Sequence, residues 1–369
     1  MSGVEPPEVI RVVAGPVERR LEEVLADEQA RWVAIDADLG APLEALRRFV
    51  LGSGKRLRPA FCHWAYVGAG GSATPHDEPA DRARDDRADN PPTIVDVGAA
   101  FELLHAFALI HDDVMDGSGT RRRAPTVHIE FEGVHTDGSW RGEPRRFGEG
   151  VAILVGDLAC VYADRLLVGA PPPARRIWNE LKIELNVGQY LDVLGTARAG
   201  TDVTTARRIA RYKSGKYTVE RPLHLGAALA GRGEELASTL SAYGDPLGEA
   251  FQLRDDILGS FGDSERTGKP VGDDLREGKP TPLLAEATAR VHDPVGRALL
   301  ARVGAPDLDD DEVVALQELL TNCGARPEIE RSIATLTERA IDAMQAAPLG
   351  EDARQALVTM AHYVAERQH

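Results

Sequence analysis

TIVDVGAAFELLHAFALIHDDVMD, residues 93–116, is the segment around which the rest of the chain is organised. Thr93, with Asp96 three residues later and Pro91-Pro92 before it, is a capping-box start for a long apolar helix. That helix ends in Asp112-Asp113-Val114-Met115-Asp116. At about 100° per residue, Asp112 and Asp116 share a face, while Asp113 lies a quarter-turn away and is a poorer direct ligand. Asp113 is expected to act through water or from behind the ligands. A second acidic pair, Asp255-Asp256, closes another long apolar run. Mg²⁺ takes oxygen ligands and is usually held by one or two carboxylates plus phosphate oxygens. Two acidic clusters facing one another would therefore hold Mg²⁺ against a diphosphate. The plainer alternative, a solvated acidic helix end, is disfavoured because carboxylates oppose the negative end of the helix dipole.

Most of the remaining chain also reads as helix: residues 17–36, 41–50, 58–68, 150–168, 174–195, 203–230, 234–260, and several segments from 281 onward. Few segments alternate with period two. Residues 70–92, poor in large apolar groups, and 132–149, glycine-bearing and of mixed charge, read as mobile loops. No linker divides the 369 residues, so one domain over 1–369 is expected. The formal net charge of −16, from 43 Lys+Arg against 59 Asp+Glu, argues against a nucleic-acid partner. Cys62, Cys160 and Cys323 are isolated, which indicates neither a disulfide framework nor a zinc site. No signal peptide is read, and no apolar stretch reaching the ~18 residues of a membrane span. A cytoplasmic protein without stable membrane insertion is expected.

In so acidic a chain the local cations stand out. Gly52-Ser53-Gly54-Lys55-Arg56-Leu57-Arg58-Pro59 sets three cations behind two glycines, and Arg121-Arg122-Arg123 follows the first acidic run. Arginine forks match phosphate oxygens in pairs.

These segments, with His105, Lys213-Ser214, Phe251-Gln252, Gly268-Lys269 and Gly278-Lys279 in the same order, resemble the trans-isoprenyl diphosphate synthases over roughly residues 40–290. The resemblance implies an all-α fold, a helical bundle around a central cavity (the isoprenoid synthase fold), and a homodimer. It implies head-to-tail condensation of isopentenyl diphosphate with an allylic diphosphate, and Mg²⁺, three ions per active site, bound with the allylic diphosphate. By the same resemblance Lys55, Arg58, His105 and Arg122 cradle isopentenyl diphosphate. Arg121, Lys213 and Lys269 hold the allylic diphosphate, and Gln189 and Lys279 also bind substrate. Asp112, Asp116 and Asp255 bridge the metals, with Asp113 and Asp256 beside them. Phe251 and Gln252 sit against the reacting carbons, and Asp192 belongs to a family Gly-Gln-x-x-Asp segment near the same metals. One departure is Gly259, where the family's second motif usually ends in a third Asp; Asp263, four residues on, is a candidate replacement.

Product length is read from the first helix. Counting back from Asp112, Ala108, Leu104 and Phe101 make a stripe along which a growing chain would run, with Phe107 flanking it. In the family the position five before the motif sets length. An aromatic there beside a small residue, without an insertion in the motif, resembles a geranylgeranyl-type enzyme, with farnesyl diphosphate as the second expectation. A class I terpene cyclase would need no second cation set, and a regulatory subunit of a heteromeric synthase would more often lose an acidic motif outright.

Overall fold

A computed structural model describes residues 5–52, 54–72, 91–198, 202–262 and 271–367. The chain opens with α1 (Glu8–Val33), α2 (Gly40–Leu51) and α3 (Leu57–Gly68), followed by α4 (Ile94–Asp116). The capping box at Thr93 forms in both directions: the Thr93 side chain accepts from the Asp96 N–H, and the Asp96 carboxylate from the Thr93 N–H. Val97, Ala99, Ala100, Phe101, Leu103 and Leu104 of α4 are fully buried, as expected of a helix that is apolar on nearly every side. Among the described residues α4 is the one helix long and apolar enough to cross a membrane, a feature the sequence reading missed. Its place between α1, α3 and α6 accounts for that composition.

A two-stranded hairpin, β1 (Thr120–Arg121) and β2 (Ala124–Pro125), leads to α5 (Val127–Asp137), α6 (Pro144–Leu166) and α7 (Pro172–Arg198). The reading of 132–149 as one loop is therefore corrected: only 138–143 link two helices. The glycine at 148 serves packing, since a Cβ there would lie 2.1 Å from the His128 carbonyl oxygen of α5. The helix expected over 203–230 is also subdivided. It comprises α8 (Val203–Ala210), a ten-residue π-helical segment (Arg211–Glu220) and α9 (Arg221–Leu229). The chain continues with α10 (Gly233–Phe261), α11 (Asp273–Glu277), α12 (Pro282–Arg290) and α13 (Pro294–Leu300). It ends with α14 (Asp310–Asn322), α15 (Ala325–Gln345) and α16 (Glu351–Glu366).

Two apolar clusters meet on α10. The larger joins α1 through α7 with the π-helical segment, α9, the end of α15, α16 and α10 as far as Phe251. The smaller gathers Ala250, Leu253 and Ile257 of α10 with Leu275, Leu283 and residues of α14 and α15. Helix α10 is thus gripped from both sides, which fixes the bearing of Asp255 and Asp256 near its end. Of the expected 70–92 loop, residues 73–90 lie outside the described residues, as do Asp263 and Lys269.

Candidate active site

The C-terminal end of α4, the hairpin, α7, the π-helical segment and α10 enclose a cavity of about 610 Å³. The first acidic cluster lies on one side of it. Carboxylate oxygens of Asp112, Asp116 and Asp192 lie within 4.8 Å of one another. Gln189 Nε2 and Lys213 Nζ donate to Asp112 Oδ1 at 2.8 and 2.9 Å, and Lys213 Nζ also donates to Asp192 at 2.6 Å. Lys213 reaches both because its π-helical segment presses on α7 at Gly188, where a Cβ would lie 2.4 Å from the Lys213 amide nitrogen. Wide π turns are uncommon and cluster at functional sites. Lys279 Nζ is 3.1 Å from Asp116 and 2.6 Å from Glu277.

Burial alone would raise the Asp112 carboxyl, but Lys213, Lys279 and Arg121 outweigh it and hold the group below the usual carboxylate range. Burial, reinforced by the Asp112 charge against the pull of Lys279, pushes Asp116 up to about 6. Asp113 faces elsewhere. The Arg121 guanidinium grips it, with Nε 2.8 and 2.9 Å from its two oxygens, whereas Arg121 comes only to 4.0 Å from Asp112. Asp113 and Arg121 therefore brace each other beside the acidic trio.

The second acidic cluster lines the same cavity from α10. Asp256 is buried and accepts from Gln252 Nε2 at 2.8 Å; its Oδ2 has no hydrogen-bond partner among the described residues. Burial holds its carboxyl well above the usual range. Asp255 is partly exposed and pairs with Arg367 at 2.6 Å. A close carboxylate trio, an oxygen-only donor set and an orphaned buried oxygen on the opposite helix fit a hard divalent cation such as Mg²⁺.

A cationic group occupies another part of the wall. Arg58 Nη2 donates to Tyr217 Oη at 2.5 Å and to Thr218 Oγ1 at 3.0 Å, and its guanidinium carbon lies 4.2 Å from the Tyr217 ring centroid. Tyr217 Oη meets His105 Nδ1 at 2.7 Å. Burial, then the nearby Arg58 and Arg122, hold the imidazole neutral far below its ordinary range. Arg122 and Arg123 form the two-residue turn of the hairpin, both with positive φ (53° and 65°). That is a primed turn usually given to Asn or Gly, so side-chain-bearing arginines there carry backbone strain. Lys55 is pulled down to about 8 by burial and by Arg367. Arg56 has a different role: it borders the cavity but is buried against Glu102 at 2.6 Å and Glu18 at 3.2 Å, so its donors anchor the loop.

Motif reading missed Arg367. It follows α16, stacks 3.9 Å from the Phe251 ring, donates to the Phe251 carbonyl at 2.9 Å and lines the cavity. A single arginine without flanking pattern carries no sequence signal, and only the packing of α16 on α10 brings it here. Ala108 lines the cavity together with Leu109 and Leu185. Phe101 and Leu104 are fully buried below it, and Phe107 packs on His111 with ring centroids 4.7 Å apart.

A model of the polyprenyl synthetase family matches residues 42–320. The crystal structure of a geranylgeranyl pyrophosphate synthase from Corynebacterium glutamicum, complexed with isoprenyl diphosphate and magnesium, is similar over 99% of this chain and 100% of that one, with a TM-score of 0.87 and 35% identity. A geranylfarnesyl diphosphate synthase of Aeropyrum pernix is 30% identical over 283 residues, 74% of this chain and 82% of that protein. A (2E,6E)-farnesyl diphosphate synthase of Mycobacterium bovis is 31% identical over 323 residues, 85% of this chain and 80% of that one. With two acidic clusters and a cationic wall around one cavity of an all-α isoprenoid synthase fold, the chain belongs to the polyprenyl synthetase family of prenyltransferases.

Proposed function

We propose that this cavity joins isopentenyl diphosphate head to tail to an allylic diphosphate, with geranylgeranyl diphosphate as the main product. The observation that carries the reading is one cavity lined both by the Asp112/Asp116/Asp192 and Asp255/Asp256 carboxylates and by the separate Arg58–Tyr217–His105 group. Two anion sites on one cavity serve two diphosphates. Incubating the purified chain with Mg²⁺, isopentenyl diphosphate and dimethylallyl diphosphate, then extracting products, tests it; an unextended primer would refute it.

Asp112, Asp116, Asp192, Asp255 and Asp256 would hold Mg²⁺, enough carboxylates for three ions at one or two each. Mg²⁺ bound there supplies Lewis-acid neutralisation of the leaving diphosphate. Lys213 and Lys279 add fixed positive charge at that end. As the allylic C–O bond breaks, they face the growing negative charge without reorganising. Arg58, Lys55 and Arg122 hold the second diphosphate so that the double bond of isopentenyl diphosphate lies against the allylic cation, where proximity favours the new C–C bond. Phe251 and Gln252 border that space. The proton then lost goes to the departing diphosphate, so neutral His105 serves in orientation, with no side-chain base required.

Because Lys55 titrates near 8, its ammonium is present below that pH and lost above it. We expect kcat/KM for isopentenyl diphosphate to fall as pH rises through about 8, and Lys55→Arg, always charged, to flatten that limb. A pH profile unchanged in the variant would remove Lys55 from the cradle.

Product length would be set between α4 and α7. Gln189 meets Asp112, and Trp178 meets Phe101 edge-to-face with ring centroids 5.4 Å apart. The two contacts lie eleven residues apart on both helices, about three turns or ~16 Å, and we take the growing chain to run between them. Ala108 and Leu185 line the cavity at the upper end of that path, and the Phe101–Trp178 pair, buried below them, would be its floor. Ala108→Phe is expected to shorten the main product by at least one prenyl unit, read by mass spectrometry of the dephosphorylated alcohols. An unchanged product would move the tunnel elsewhere.

A homodimer is supported by an exposed apolar face. Ile183, Val187 and Tyr190 of α7 and Leu154 and Val161 of α6 are between 47% and 66% exposed at helical spacing. Sedimentation of the purified chain at the monomer mass would overturn it.

A further inference from the structure

Gly259 leaves the second acidic motif without its last carboxylate, yet the space a side chain there would occupy is filled. A Cβ built on Gly259 would lie 1.9 Å from Asp274 Oδ2 and 2.3 Å from Asp274 Cγ. Asp274 belongs to α11, a short helix whose Leu275 is fully buried and whose Arg276 is tied to the Leu308 carbonyl at 2.6 Å. Its backbone is therefore held, and its carboxylate points at α10 rather than into solvent. Asp274 lines the same cavity as Asp255 and Asp256, and Lys279 Nζ, 3.8 Å from it, links it to Asp116 across the cavity. The neighbouring Asp256, 3% exposed, keeps an orphaned Oδ2, so this corner holds a buried acceptor awaiting a donor or cation.

We propose that Asp274 supplies the carboxylate missing at Gly259, completing the second Mg²⁺-diphosphate cluster from a separate helix. The inference rests on the Mg²⁺-diphosphate reading above. The distance also explains the glycine: a residue with a side chain at 259 and the present position of Asp274 exclude one another. Sequence reasoning pointed four residues on, to Asp263, which lies outside the described residues; the replacement stands fifteen residues on in sequence, on a separate helix.

The test is Mg²⁺-dependent binding of inorganic pyrophosphate to the full chain, measured by calorimetry rather than turnover. Asp274→Asn, which keeps shape and hydrogen-bonding capacity, should weaken it roughly ten- to a hundredfold, as loss of an outer-shell partner does. Adding Gly259→Asp to Asp274→Ala, which clears the space, should recover most of the lost affinity, whereas Gly259→Asp alone should bring no gain. Wild-type affinity in Asp274→Asn, or no recovery in the folded double variant, overturns the proposal. Wild-type protein that binds no pyrophosphate with Mg²⁺ overturns the diphosphate reading itself.

Discussion

Asp112→Asn should leave a folded protein that has lost two to three powers of ten in kcat, roughly 3–4 kcal/mol of transition-state stabilisation. The size follows from where Asp112 stands. Its Oδ1 accepts from both Gln189 and Lys213, and its carboxylate is part of the trio with Asp116 and Asp192. An amide of the same shape turns one acceptor oxygen into a donor facing Lys213 and removes one anionic ligand. Fold loss should be small, because Lys213 keeps Asp192 at 2.6 Å. Near-wild-type turnover at saturating Mg²⁺, beside an unchanged circular dichroism spectrum, would show that the trio is not the metal site.

The second large effect separates the two anion sites. Arg58→Ala should raise the KM for isopentenyl diphosphate roughly ten- to a hundredfold, the scale of one or two charge-assisted hydrogen bonds, with little change for the allylic substrate. Arg58 is buried and aligned by Tyr217 and Thr218, so no neighbouring arginine takes over its geometry. Lys213→Ala should act on the allylic side. It also leaves Asp112 and Asp192 without their shared cation, and removing one partner of a buried pair destabilises. Its melting temperature should therefore fall without Mg²⁺ and recover more than wild type when Mg²⁺ is added. Equal shifts for both substrates from both variants would contradict the division.

The parts of the site that were legible in sequence are those written on single helices. Asp112 and Asp116 are four residues apart, so their shared face follows from the helical repeat alone. Thr93 and Asp96 announce their helix by local hydrogen bonding. The same geometry set Asp113 apart from its neighbours, though not the reason it is held there, which is Arg121 of the hairpin. Local chemistry misled where a residue has two uses. Gly148 reads as loop but permits α5 and α6 to touch, and Arg56 stands in the basic run with Lys55 and Arg58 but is bound to Glu102.

The helical character of the chain, the acidic ends of α4 and α10 and the cations near both can be read without any structure, because they depend on periodicity and on neighbours within a few residues. Which groups meet is a matter of how the helices pack. That packing brought Lys213 between Asp112 and Asp192, Arg367 onto Phe251 and Asp255, Trp178 under Phe101, and Asp274 into the space beside Gly259. Each of those meetings joins residues on different helices, and their contact is set by how buried faces such as those of α10 and α11 pack. A one-dimensional pattern records the spacing along a helix and leaves the angle and distance between helices to the core.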